Sequence, residues 1–182
     1  MAKPSICFFD RIETPVGALV LVADEDGALR MMWFDDPGKA EWRKSFLSRY
    51  PEATLVAKQN PHGFSAALKA YFGGDVLVLD RLRVALRGTP FQMKVWNALR
   101  SIPCGATTSY GALARRIGEP KAVRAVGLAN GSNPIGIVVP CHRVIGSNGS
   151  LTGYGGGLPR KKWLLAHEAR HTASSFRLWS SA

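Results

Sequence analysis

The run Ile135-Gly136-Ile137-Val138-Val139-Pro140-Cys141-His142 constrains this chain more than any other stretch. Its first five residues are apolar, mostly β-branched and bounded by turn formers, which reads as a buried strand. Pro140 has no N–H to donate and ends the ladder. Cys141 and His142 then fall where a core strand leaves the interior. A thiol placed there is partly reachable, is held from below by packing, and has an imidazole next to it in sequence. That is a setting in which a reactive thiolate can form. A free cysteine is more often a small packing residue, so the rest of the chain has to decide between the two.

The charge distribution bears on that choice. The net charge is +11, and all of it lies in one half. Residues 1–85 carry 11 Lys and Arg against 11 Asp and Glu, whereas residues 86–182 carry 13 against 2. One-sided basicity is the electrostatic footprint of a polyanion such as nucleic acid; a solvated basic face is the plainer alternative. No apolar run reaches the length of a transmembrane helix, and the start of the chain lacks a signal-peptide core. The three cysteines, Cys7, Cys104 and Cys141, fit neither a disulfide framework nor a zinc pattern. A reducing, cytoplasmic setting without a bound metal is expected.

At 182 residues the chain suits one domain or two small ones. Strand-like runs at 6–12, 18–23 and 28–34, separated by Pro- and Gly-containing turns, predict a small antiparallel meander. Helices are expected over 38–50 and 61–72, and a further strand over 82–86. Arg87–Pro90 reads as a hinge, which divides an N-terminal α/β domain (1–86) from a second domain (87–170). The Ser-rich tail, 171–182, is expected to be mobile. Thr89-Pro90-Phe91-Gln92 has the form of a capping box, opening a helix whose core stripe holds Val95 and Leu99.

Two short helices follow, about Tyr110–Ile117 and Lys121–Asn130, joined by Gly118-Glu119-Pro120. This is the helix-turn-helix outline, although many helical hairpins share it. The second helix is rich in Ala and Gly, and few side chains but Lys121, Arg124 and Leu128 have bulk. Its backbone can therefore come close to a partner, as a minor groove roughly 6 Å wide demands. Small residues serve tight helix packing equally well. Asn133 can tie the turn into the apolar run. The glycine-rich loop 146–157 carries one aromatic, Tyr154, able to wall a flat ligand. On the last helix, about 159–169, Glu168 shares a face with Leu164 and Leu165. A carboxylate on a core face needs a partner, and His142 is one; a surface Glu at a fraying helix end is the other reading. Cys104 reads as structural, and His167 as solvated.

With these residues laid out, the second half resembles the methylated-DNA–protein-cysteine methyltransferase family, the O6-alkylguanine-DNA alkyltransferases, in its single-domain bacterial form. The likeness runs through GTPFQMKVWNALRSIPCG, SYGALARRIG, KAVRAVGLANGSNPI, IVVPCHRVIG, GSLTGYGGG and KKWLLAHE. PCHRV followed by GY and LLAHE at these distances is highly specific. The first half resembles the family only in its meander. The resemblance implies an α+β fold, with a ribonuclease H-like N-terminal part and a mainly helical part with a winged-helix-like helix-turn-helix. It makes Cys141 the alkyl acceptor, His142 its base through a water, and Glu168 the carboxylate that orients the histidine. Asn133 fixes the site's turn, and Tyr110 assists extrusion of the nucleotide. Arg124 enters the stack where the guanine leaves, and Lys121, Ala125 and Gly127 share that DNA-facing helix region. Val144, Thr152, Tyr154 and Gly155 wall the base pocket, where a residue as large as Thr152 narrows the space for bulky adducts.

The leading expectation is therefore DNA repair by direct, stoichiometric and irreversible transfer of the alkyl group of O6-alkylguanine, and of O4-alkylthymine, to Cys141. A thioether has no hydrolytic exit, so each molecule reacts once, as a monomer and without a cofactor. The substrate is double-stranded DNA approached through the minor groove, with the base extruded. One alternative is a helix-turn-helix protein that binds damaged or regulatory DNA without chemistry. Another is a cysteine hydrolase built on Cys141, His142 and Glu168.

Overall fold

The computed structural model describes residues 5–37 and 41–172. The predicted meander is present: β1 (Ser5–Ile12), β2 (Leu19–Asp24) and β3 (Leu29–Phe34) pair antiparallel. Helix α1 (Trp42–Arg49) follows, and β4 (Ala53–Ala57) then adds parallel to β1. The sheet is thus mixed, in the order β3-β2-β1-β4, rather than purely antiparallel. The sequence reading missed β4 because its five residues are short of apolar alternation and mostly exposed. The strand expected over 82–86 is absent; Val84 makes a single bridge to Leu29.

Strand β2 is buried along its whole length. Its side chains alternate between two clusters. Val20 and Val22 meet Trp42 and Phe46 of α1 on one face. Leu19, Leu21 and Ala23 face the larger cluster. That cluster takes Phe64, Leu68 and Tyr71 from α2 (Phe64–Phe72) and Val95, Trp96 and Leu99 from α3 (Pro90–Leu99). Each of these large side chains stabilises the fold by about 1.5–3 kcal/mol through burial. The same cluster continues through Leu113, Val126, Val139, Cys141 and Leu164, so both halves share one core.

Helix α3 opens with the expected capping box. Thr89 Oγ1 accepts from the Gln92 N–H at 3.2 Å, and Gln92 Oε1 accepts from the Thr89 N–H at 2.9 Å. Helices α4 (Tyr110–Arg116) and α5 (Val123–Gly131) form the predicted pair, with Lys121 in the link rather than in α5. A two-residue parallel pair joins β5 (Thr108–Ser109) to β6 (Val144–Ile145), and α6 (Leu158–His171) closes the described chain. No helix of the described residues is long and apolar enough to cross a membrane. The tail beyond Thr172 lies outside the described residues.

The run 135–139 departs from expectation. It is buried except at Gly136, but it is coil rather than strand. Its one ladder contact is the bridge of Ile135 to Met32. The segment folds onto itself, with the Val139 N–H donating to Ile135 O at 2.9 Å and the Val138 N–H to Gly136 O at 2.9 Å. Asn133 closes the loop: its Nδ2 donates to Val139 O at 2.7 Å, and its Oδ1 accepts from the Ile135 N–H at 3.0 Å. Prolines at both ends donate nothing, so a ladder had little to offer. Ile137 sits at φ +69°, an unusual conformation for a β-branched residue and a local strain four residues before Cys141.

Candidate active site

Cys141 opens a 3-10 turn, Cys141–Arg143, on the compact loop. It is only 5% exposed, so the thiol is reached from a pocket and not from open solvent, contrary to the partly reachable thiol expected from sequence. Burial pushes its pKa above the ordinary thiol range, and Asn133 and Lys161 offset this only in part. The resting group is thus a thiol, which needs a base at the moment of reaction.

His142 offers a group able to act as that base. His142 is fully buried, and its Nε2 lies 2.8 Å from Glu168 Oε1. With an ionised Glu168, Nε2 carries the proton and donates, which leaves the Nδ1 lone pair as the basic site. Nδ1 has no hydrogen-bond partner among the described residues. Burial lowers the His142 pKa, and the Glu168 charge opposes this without overturning it. The imidazole is therefore neutral at physiological pH, as a proton acceptor must be. Chemistry that uses Nδ1 as its base is expected to keep its rate from about pH 8 down through 6.5, the ordinary histidine value, and to lose it only below that. Single-turnover rates across that range check this; an acid limb centred above 6.5 would show that another group limits the reaction.

Glu168 resolves its open alternative: it is a buried hub. Arg143 Nε donates to Oε2 and Arg143 Nη2 to Oε1, each at 2.9 Å. Tyr71 OH donates to Oε1 at 3.0 Å, and the Gly105 N–H to Oε2 at 3.2 Å. Burial alone would raise the carboxyl pKa, but His142 and Arg143 outweigh it and hold it well below the usual carboxylate range. Arg143 and Tyr71 escaped the sequence reading. Arg143 follows a core segment and carried a signal in that position; Tyr71 carried none, since it comes from α2 of the other half. Burial and Glu168 push the neighbouring Cys104 thiol up to about 12, which keeps it neutral and structural. His167, expected in solvent, is buried, bonds to Tyr71 O at 2.7 Å and stacks on Trp163.

The pocket at Cys141 has a volume of about 490 Å³, within the size range of small-ligand sites. Tyr154 and Gly155, two of the four residues that the resemblance places in the base pocket, line it, together with Asn133, Gly156 and Met32, Trp33 and Phe34 of β3. Thr152 does not line it. Its side chain is exposed, and it contributes a carbonyl that accepts from Lys161 Nζ at 2.6 Å and lies 3.1 Å from Tyr110 OH. Val144 is buried beneath, where its carbonyl also accepts from Lys161 at 2.6 Å. Lys161 is a third residue missed from sequence: a buried ammonium whose charge favours the Cys141 thiolate. On the outer side, Lys121, Arg124 and Ala125 are exposed, and Gly127 is half-buried beside the Tyr110 ring. Leu128, one turn after Arg124, is 77% exposed.

A thiol lining a ligand-sized pocket, with a neutral histidine and a buried carboxylate beneath it and a basic helix pair beside it, is the arrangement of a protein able to do thiol chemistry on a ligand. Comparison with known proteins makes this specific. Residues 90–170 match the family model for the DNA-binding domain of 6-O-methylguanine DNA methyltransferase. The chain is 51% identical over 160 residues to a Salmonella typhimurium methylated-DNA–protein-cysteine methyltransferase, covering 87% of this chain and 94% of that one. A Mycolicibacterium paratuberculosis protein of the same name is 44% identical, with 92% and 96% covered. A Mycobacterium tuberculosis O6-methylguanine methyltransferase superposes with a TM-score of 0.76 at 39% identity, covering 93% and 96%. Mycobacterium tuberculosis OGT in complex with DNA gives 0.72 at 40% identity, covering 91% and 94%. The chain belongs to the methylated-DNA–protein-cysteine methyltransferase family of DNA-repair proteins.

Proposed function

We propose that the chain repairs double-stranded DNA by moving the alkyl group of O6-alkylguanine, and of O4-alkylthymine, onto Cys141. The observation that carries this is the 2.8 Å His142–Glu168 contact behind a thiol that lines a pocket. His142 Nδ1 takes the thiol proton, through a water. The sulfur attacks the O6-bound carbon; the S–C bond forms as the C–O bond breaks, its electron pair leaves with the guanine oxygen, and the proton taken from the thiol is passed back through the water so that the guanine leaves neutral. The thioether cannot be hydrolysed, so the protein is consumed.

The damaged base is out of reach within a duplex and has to be extruded, with unstacking costing a few kcal/mol. The exposed Arg124, Ala125 and Lys121 and the small Gly127 support entry of α5 into the minor groove. Arg124 fills the vacated stack, and Tyr110 helps turn the nucleotide out. Arg124→Ala is expected to slow transfer from duplex DNA by about tenfold to a hundredfold while leaving transfer from the free O6-alkylguanine base unchanged. An equal loss on both substrates would place Arg124 outside the extrusion step. The division at residues 86 and 87, a ribonuclease H-like first part and a winged-helix-like second part belong to the same reading. So do a monomeric state and work in the cytoplasm.

The test is incubation with duplex DNA labelled at the methyl of O6-methylguanine. Label is expected to move to protein in a burst of one per molecule. Binding without any transfer would instead support a non-enzymatic damage binder, and repeated turnover on esters or amides a hydrolase.

A further inference from the structure

The wall of the pocket that carries Tyr154, Gly155 and Gly156 is neither helix nor strand. It is largely glycine, so its position has to be set from outside. The ties converge on Arg160, in the first turn of α6. Its Nε donates to Val16 O at 2.7 Å, in the link between β1 and β2. Its Nη1 donates to Gly156 O and to Asp36 Oδ2, each at 3.1 Å, and its Nη2 to the other Asp36 oxygen. The guanidinium also lies 4.3 Å above the Phe34 ring, which meets Tyr154 edge-on at 6.2 Å. The loop is pressed against that ring so closely that a Cβ on Gly156 would fall 2.4 Å from Phe34 Cε2.

One planar group thus fastens three segments: the β1–β2 link, the stretch after β3, and the pocket wall. The Arg160 and Asp36 side chains are partly exposed, and a pair in such a setting contributes little to global stability. Its geometry does more, because a fork of donors fixes orientation as a lysine cannot. Resting on the functional reading above, we infer that Arg160 is a positioning residue through which the first-half sheet sets the wall that receives the extruded base. The first half is then part of the substrate site, and Arg160 controls how well the base fits.

The experiment measures single-turnover transfer from free O6-alkylguanine base, without DNA, over a range of base concentrations. Wild type, Arg160→Ala, Arg160→Lys and Asp36→Asn are compared, with thermal unfolding and duplex affinity measured on each. Arg160→Ala is expected to raise the half-saturating base concentration about tenfold, with the limiting rate within about twofold, which marks lost binding rather than lost chemistry. Duplex affinity and unfolding midpoint are expected to stay at wild-type values. Arg160→Lys recovers only part of the loss. The double variant Asp36→Asn/Arg160→Ala is no worse than Arg160→Ala alone, because the two act as one contact. Unchanged half-saturation, a loss confined to the limiting rate, or a fall in duplex affinity or unfolding midpoint of the same size would overturn the inference. Failure of wild type itself to transfer would instead sink the functional reading, and this inference with it.

Discussion

Cys141→Ala is expected to bind duplex DNA carrying O6-methylguanine as tightly as the wild type and to transfer no label. The two halves of that expectation rest on different parts of the molecule. In the function proposed above, binding depends on the exposed basic surface of α4 and α5, whereas Cys141 is buried. Its side chain contributes to the core only what one small buried group does, so removal costs roughly 1 kcal/mol of stability and leaves the fold intact. The chemistry has no substitute. Cys7 and Cys104, the other two thiols, are buried. Burial raises both, and neither lines the pocket. A gel shift paired with the label assay separates the outcomes. Residual one-to-one labelling of the variant would show that another side chain is the acceptor, and lost binding that Cys141 supports the DNA surface.

Legibility in the sequence followed physical range. The capping box at Thr89, the helix pair and the meander were readable because each is set by residues within a few positions of one another. The His142–Glu168 pair was readable because His142 follows a core segment and Glu168 has a definite helical phase. The run 135–139 was legible as buried and misread as strand, since an apolar run reports burial and not the path of the backbone. What decided its path was Asn133, whose side chain replaces the ladder with two bonds of its own. Tyr71, Lys161 and the Arg160–Asp36 tie were invisible for a different cause. Each acts on a segment distant in sequence, Tyr71 on Glu168 and Arg160 on Asp36, and no local pattern marks such a pairing. His167 shows the same limit: its helical phase pointed outward, and only the packing of Tyr71 and Trp163 around it brings it inside.

Glu168→Gln is expected to be the most damaging conservative change, and to damage stability as well as rate. The carboxylate accepts five hydrogen bonds, from His142, Tyr71, Gly105 and, twice, Arg143. An amide keeps one oxygen and puts an NH₂ where the other stood, so a donor faces a donor and the Arg143 charge is left buried without its counter-ion. Breaking a buried pair from one side costs about 3–5 kcal/mol. For a chain of this size that lowers the unfolding midpoint by roughly 6–20 °C. The pH dependence gives the cause. Glu168 is held below the usual carboxylate range in the fold, whereas in the unfolded chain it titrates near the ordinary value of about 4.3. Its contribution is therefore fully present above about pH 4.3 and is lost as pH falls towards the folded value. The gap in midpoint between wild type and variant should be full at neutral pH and shrink below about pH 4.3. Transfer at neutral pH should fall by about 10²–10⁴, the usual worth of a positioned general base, because the amide oxygen can still accept the Nε2–H but the negative charge that favours a protonated His142 is gone. Calorimetry from pH 7.5 downward and single-turnover labelling check the two effects separately. A midpoint within about 2 °C of wild type at neutral pH, a change worth under about 1 kcal/mol, would show that water satisfies this network and that Glu168 is not its hub.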